Sequence, residues 1–142
     1  MNIIDKLTSC LEEEGIFPVS EELWNNFKLN HCAPENEQKK KEQYSFIRKQ
    51  VEKKSGIYVY MKEDRCIYIG KAKPLFNRIK SHYIESFSPV SGDTKDMRWH
   101  RFFSTYQGEV QIYWKEFESE EERQLIEMIL TRILKPIFLT FK

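Results

Sequence analysis

Three cysteines, Cys10, Cys32 and Cys66, are too few and too scattered for a disulfide framework, and none lies in a CxxC pair. Neither they nor His31, His82 and His100 show zinc-ligand spacing. An odd set of thiols fits a reducing compartment, so a cytoplasmic location is expected. No apolar run approaches the ~18 residues of a membrane span, which points to a soluble protein. The start, Met1-Asn2-Ile3-Ile4-Asp5, lacks a basic n-region and a long apolar h-region, so no signal peptide is expected. There is no internal repeat and no low-complexity segment. Net charge is nearly absent too, at +1. Taken alone, that total gives no reason to expect a polyanionic partner.

What is present is more telling. A chain of 142 residues makes one domain with an appendage and is long enough for a core without staples. Aromatic residues are plentiful, with three Trp, seven Tyr and ten Phe. Charge is unevenly spread. Residues 1–34 hold two lysines against six acids, whereas residues 35–54 hold seven basic residues against four. Between Lys71 and His82 there are four Lys or Arg and no acid. Phosphate binding depends on such local excess more than on the total. The run Lys39-Lys40-Lys41, taken alone, reads as a solvated helix face.

Helical spacing predicts helices over 3–14, ending at Gly15, over 20–29, opened by Ser20, and over 35–53. Residues 1–54 are therefore read as a helical arm that would not fold alone. At Gly56 the period changes to two. Ile57, Val59 and Met61 alternate with Tyr58 and Tyr60, then Ile67 and Ile69 with Cys66 and Tyr68, around Lys62-Glu63-Asp64-Arg65. This is a hairpin. If the apolar sets share a face, facing positions sum to an even number, Tyr58 lies near Tyr68, and an odd loop or a bulge is required. Pro74 opens a helix over 74–84 that puts Arg78 and His82 on one face. Residues 86–96 read as a mobile loop, residues 97–106 as a helix and residues 109–117 as a third strand. Ser119 and Glu122 form a capping box for a helix through Leu134, and Pro136 stops it. The apolar tail is expected to pack on the core.

The expected fold class is α+β: a small, mainly antiparallel three-stranded sheet flanked by helices, with domain residues 55–142 after the arm, residues 1–54. The residues that stand out are Tyr58, Tyr68, Lys71, Arg78, His82 and Glu127. A phenol can accept a proton, Arg and Lys can clamp phosphate, and one carboxylate can hold a divalent ion. Unperturbed tyrosine, with a pKa of about 10, is a poor base at neutral pH, but nearby cations favour its phenolate. His82 can hydrogen-bond a phosphate or protonate a leaving oxygen, or simply be an exposed helix histidine. Glu127 sits in an apolar run, Leu125-Ile126-Glu127-Met128-Ile129-Leu130. A carboxylate there needs a salt bridge to Arg123 or Arg132, or a metal.

With Gly56-Ile57-Tyr58 and Tyr68-Ile69-Gly70 verbatim at hairpin spacing, residues 56–136 resemble the GIY-YIG nuclease domain. This is the fold of the incision domain of excision-repair nucleases and of some homing and restriction enzymes. The run Gly70-Lys71-Ala72-Lys73-Pro74-Leu75 through Asn77-Arg78 is similar to the repair branch. The resemblance implies that Arg78 is the family arginine, His82 the family histidine or tyrosine, and Glu127 the metal-binding glutamate. Many relatives carry an asparagine shortly after the proline matching Pro136. Here the tail has none, and Thr140 is the residue left to replace one hydrogen bond.

The resemblance implies a Mg²⁺- or Mn²⁺-dependent endonuclease with one metal site. It would hydrolyse DNA phosphodiesters through an activated water and nick one strand per site. Either tyrosine can be the base. Tyr58 is taken as base and Tyr68 as orienting the water or phosphate. The alternative is a weakly active or inactive module of the same fold that binds nucleic acid or protein. The acidic first 34 residues suit a protein partner or self-association through the arm better than DNA.

Overall fold

The structure, a computed structural model, describes residues 2–88 and 94–141. Short polar side chains set the helix starts. Asn2 caps α1 (Ile3–Glu13) by accepting from the Asp5 amide, and Asn36 caps α2 (Glu37–Val51) by accepting from that of Lys39. Ser119 does the same for α5 (Glu120–Leu134) through the Glu122 amide. Such a cap stabilises a helix by about 1 kcal/mol. Gly15, at φ 73°, ends α1 in the left-handed region, as its position predicts. Pro74 stands one residue before α3 (Leu75–Glu85), and α4 spans Thr94–Thr105. Of the loop expected over 86–96, residues 89–93 lie outside the described residues, and residues 94–96 already belong to α4, which starts three residues before the expected 97.

Four strands form one antiparallel sheet: β1 (Asn25–His31), β2 (Gly56–Lys62), β3 (Arg65–Ala72) and β4 (Gly108–Glu116), in the order β1-β4-β2-β3. This corrects the three-stranded expectation and the wholly helical arm. Ser20 starts only one turn, its carbonyl accepting from Leu23 and Trp24, and the chain then extends. Phe27, Leu29 and His31 face inward and Lys28 and Asn30 outward. β1 thus pairs along its length with β4, Asn25 opposite Trp114 through His31 opposite Gly108.

The hairpin follows the parity argument. Tyr60 faces Tyr68, Tyr58 faces Gly70, and the register slips between Tyr60 and Met61, where a bulge absorbs one residue. Glu63 and Asp64 both have positive φ, 50° and 64°, as a two-residue hairpin turn demands. Gly56 is needed for a different reason. A Cβ there would run into the Lys115 carbonyl of β4.

Both faces of the sheet are covered. On one, Tyr58, Tyr60, Tyr68 and Ile112 pack against Ile47 and Val51 of α2, Leu75, Ile79 and Tyr83 of α3, and Phe102 and Phe103 of α4. On the other, Ile57, Val59 and Ile69 pack against Leu11 of α1 and Ile126, Ile129 and Leu130 of α5. The tail forms a short 3-10 helix, Ile137–Thr140, and Phe138 and Phe141 join the first core, as expected of it. Among the described residues, no helix is long and apolar enough to cross a membrane.

Candidate active site at the free edge of the sheet

β3 is an edge strand, and its two faces carry different chemistry. Tyr68 and Gly70 lie on the face covered by α3 and α4. Ile69 belongs to the opposite face, covered by α5. Side chains from both layers come within electrostatic reach of each other at this edge. The Tyr58 and Tyr68 rings stack with centroids 6.0 Å apart and planes 22° apart. The Tyr58 ring lies so close to Gly70 that any Cβ there would collide with its phenol end. An alanine at position 70 would push that ring out of place.

Arg78, in the first turn of α3, is half-buried, and its charge favours the ionised form of both phenols. Its guanidinium carbon lies over the Trp99 ring of α4, 4.5 Å from the centroid. One turn further, His82 is fully buried, not the exposed histidine that was one of the expectations. Its Nε2 is 2.8 Å from the Tyr58 hydroxyl. It therefore lies behind Tyr58, seen from solvent, so the structure does not place it against a phosphate. Phe103 lies nearly flat on its ring, 4.5 Å away, and Tyr68 meets it edge-on.

Burial sets the protonation states. It raises the Tyr58 pKa well above 10, with the neighbouring Tyr68 adding to the rise and Arg78 opposing it. Tyr68 is raised as well, again mainly by burial and against the pull of Arg78. Burial, then Arg78, then His31 hold His82 well below the usual histidine range. At neutral pH the pair is a phenol and a neutral imidazole.

Glu127 comes from the other layer. It is half-buried on α5, although Leu125 and Met128 beside it are exposed, so the run is less buried than its sequence suggests. The salt bridge considered for it does not form with Arg123, which is buried and donates instead to the Phe117 and Glu118 carbonyls at the start of α5. Burial raises the Glu127 pKa, and Lys71 opposes the rise. Glu127 in turn raises the Tyr68 pKa through its charge, so the carboxylate and the phenol sense one another around the β3 edge. Among the described residues, no group of three His, Cys, Asp or Glu could hold a metal. A lone, partly desolvated carboxylate still fits one hard cation that takes its remaining oxygens from water and phosphate.

The tail resolves the missing asparagine in an unexpected way. Thr140 is exposed, and its hydroxyl donates to the Ile137 carbonyl at 3.3 Å. Beside Tyr68 stands Phe138, edge-on at 4.9 Å. Arg98 pins the tail, donating to the Phe138 and Phe141 carbonyls at 2.8 and 3.1 Å.

Three neighbours were not foreseen. Tyr60 follows from the alternation of β2 and the parity of the hairpin, which place it opposite Tyr68. His31 would have followed from the two-residue period of β1. No local signal marks Trp99, whose place depends on how α4 packs. His31 has both ring nitrogens buried without a partner among the described residues, and burial together with Lys62 pushes its pKa down to about 3. The unfolded chain would protonate this residue below about 6.5. Between about 6.5 and 3 the unfolded state therefore binds the extra proton, and stability falls as pH falls. The expected loss is on the order of 4 kcal/mol, and denaturant titrations of His31→Phe should show a flatter acid limb than those of the wild type.

No protein-family model and no curated protein matches the sequence. Among solved structures, the GIY-YIG N-terminal endonuclease domain of UvrC from Thermotoga maritima, bound to its catalytic divalent cation, magnesium, is 25% identical, with a TM-score of 0.47. The match covers 66% of this chain and 94% of that one. A point mutant of the same domain is 24% identical at a TM-score of 0.45 over 66% and 93% of the two chains. A mutant of bacteriophage T4 EndoII is 21% identical at a TM-score of 0.40, over 59% of this chain and 71% of its own.

Proposed function

We propose that this chain, which resembles the GIY-YIG nucleases, hydrolyses phosphodiester bonds of DNA at the β3 edge and nicks one strand per site. The observation that carries this reading is the Tyr58 hydroxyl, paired at 2.8 Å with the buried His82 and under the positive charge of Arg78. A phenol that holds its proton at neutral pH is a weak base, so the reacting form is the phenolate, which the Arg78 charge favours against burial. As phenolate, Tyr58 takes the water proton. Neutral His82 steadies that form by donating Nε2–H to the Tyr58 oxygen, and the Nε2–H tautomer is the one this requires.

The other residues bind and orient. Tyr68 positions the water or the phosphate. Arg78, placed over Trp99, presents its fork to the scissile phosphate and stabilises charge that develops in the transition state. Lys71 adds positive charge beside Glu127. Glu127 would hold a divalent cation, Mg²⁺ or Mn²⁺, which supplies Lewis acidity toward the phosphate oxygens. A second carboxylate is not required, because such ions keep several waters.

The direct test is purified protein with supercoiled, nicked and branched plasmid DNA, with Mg²⁺ and with chelator. Nicked circles that appear only with the metal are expected. Binding without cleavage of all three substrates would favour the non-catalytic module instead. Arg78→Ala separates chemistry from binding. Its single-turnover rate should fall by two orders of magnitude or more, while DNA affinity changes by about tenfold or less. Equal losses in both would reduce Arg78 to a binding contact.

A further inference from the structure

Next to this edge lies a surface that the mechanism does not use. α2 packs along α3, and cations alternate with aromatic rings in the seam between them. Arg48 lies over Phe76 at 3.9 Å, and Lys80 over Tyr44 at 4.7 Å and Phe76 at 5.8 Å. Lys40 stands 5.9 Å from the Tyr44 centroid. Of the ion pairs in the described residues, none involves Arg48, Lys80 or Lys40.

The seam opens into two adjoining grooves of about 610 and 350 Å³ that share Arg48, Glu52 and Lys53. The smaller one is also lined by Lys73 and Asn77. Asn77 precedes Arg78 and Lys73 lies two residues beyond Lys71, so this groove begins where the candidate site ends. In the two grooves Arg48, Lys49, Lys53 and Lys73 stand with one acid, Glu52, since the other, Glu116, is already paired with Lys54 at 3.7 Å; Lys80 lies beside Phe76, which lines the smaller groove.

We propose that the α2–α3 seam is a track for the DNA backbone on one side of the cleaved phosphate. This inference rests on the reading of the edge site as a DNA phosphodiesterase and adds where the rest of the substrate runs. Cations already held over rings lose little freedom when a phosphate arrives, and Arg48 is exposed and Lys80 half-exposed. Open grooves lined by cations suit a continuous line of phosphates. Each phosphate contact releases counterions, so the seam should dominate the salt dependence of binding. The track is built largely by α2, which lies outside residues 56–136. The segment expected to meet a protein thus supplies the DNA surface in its second half.

The test uses the full chain and a labelled duplex in chelator, with affinity measured across a salt series. Arg48→Gln, Lys80→Gln and Lys73→Gln each replace a charge and keep a stem over the same neighbours. Thermal melts check folding. Each should weaken binding by about three- to tenfold and reduce the log–log salt slope by about one. Single-turnover cleavage at saturating DNA in Mg²⁺ should stay within about twofold of wild type. Lys28→Gln, on β1 and paired with Glu109, should change neither. If the wild type cleaves DNA and the double variant Arg48→Gln/Lys80→Gln binds with unchanged affinity and slope, the track is wrong and the edge-site reading stands. If the wild type neither binds nor cleaves DNA, the edge-site reading fails and takes the track with it.

Discussion

Tyr58→Phe is expected to slow single-turnover cleavage by about 10²- to 10⁴-fold, the usual contribution of a positioned acid or base. The ring is 1% exposed and packs among Tyr60, Tyr68 and His82, and Phe keeps that packing. Only the hydroxyl is lost, together with its bond to His82 Nε2. That leaves a buried imidazole nitrogen without its partner, so a stability loss of about 1–3 kcal/mol should accompany the kinetic one. The fold should survive it. The wild-type rate should climb with pH as the Tyr58 phenolate becomes populated, and it should climb late, because burial raises this phenol. Tyr58→Phe should flatten that limb. Tyr68→Phe should lose less rate and keep the limb. If Tyr58→Phe cleaves like the wild type at every pH, Tyr58 is not the base but a packing residue.

Glu127→Gln is expected to reduce cleavage to the background of a chelated sample. The change is nearly isosteric and swaps a hard anionic donor for a weak neutral one. It also removes a carboxylate whose ionised form is disfavoured by burial, so the melting temperature without metal should be equal or slightly higher. A measurement independent of activity separates the two roles. Adding Mg²⁺ should raise the wild-type melting temperature and leave that of Glu127→Gln unmoved, because a ligand stabilises only a protein that binds it. A variant that still cuts with Mg²⁺, or that gains the same thermal shift, would remove Glu127 from the metal site.

The most legible parts of the sequence were those ruled by short-range chemistry. Asn and Ser caps, the change of period at Gly56, and the parity of the hairpin with its bulge depend on residues within a few positions of each other. Tyr58, Tyr68 and Arg78, ten positions apart each, were legible through the motif they share with the GIY-YIG domain, and the structure brings them together with Glu127 within electrostatic reach. The arm was misread because Ser20-Glu21-Glu22 is a sound helix start and Asn25, Asn26 and Asn30 are poor strand formers. Pairing with β4 overrides both, and no sequence window contains β4 and β1 together. His82 shows the same limit at the level of the site. Its spacing from Arg78 was readable, but its burial depends on Phe103 and Trp99, brought in by α4. The missing asparagine was visible. That its neighbourhood is held instead by Phe138 and Arg98 was not.

The pairing of β1 with β4 has a consequence for how the chain is made. Residues 25–31 bond to residues 108–114, which leave the ribosome some eighty residues later. β4 lies between β1 and β2, so β1 has no neighbour in the sheet until β4 arrives. Closing so long a loop is slow, and topologies rich in distant pairings fold slowly. Until then Phe27, Leu29 and His31 line a strand with a bare edge, a setting in which chains tend to associate wrongly. The six acids of residues 1–34 all precede this strand, and like charge of that kind opposes association of nascent copies.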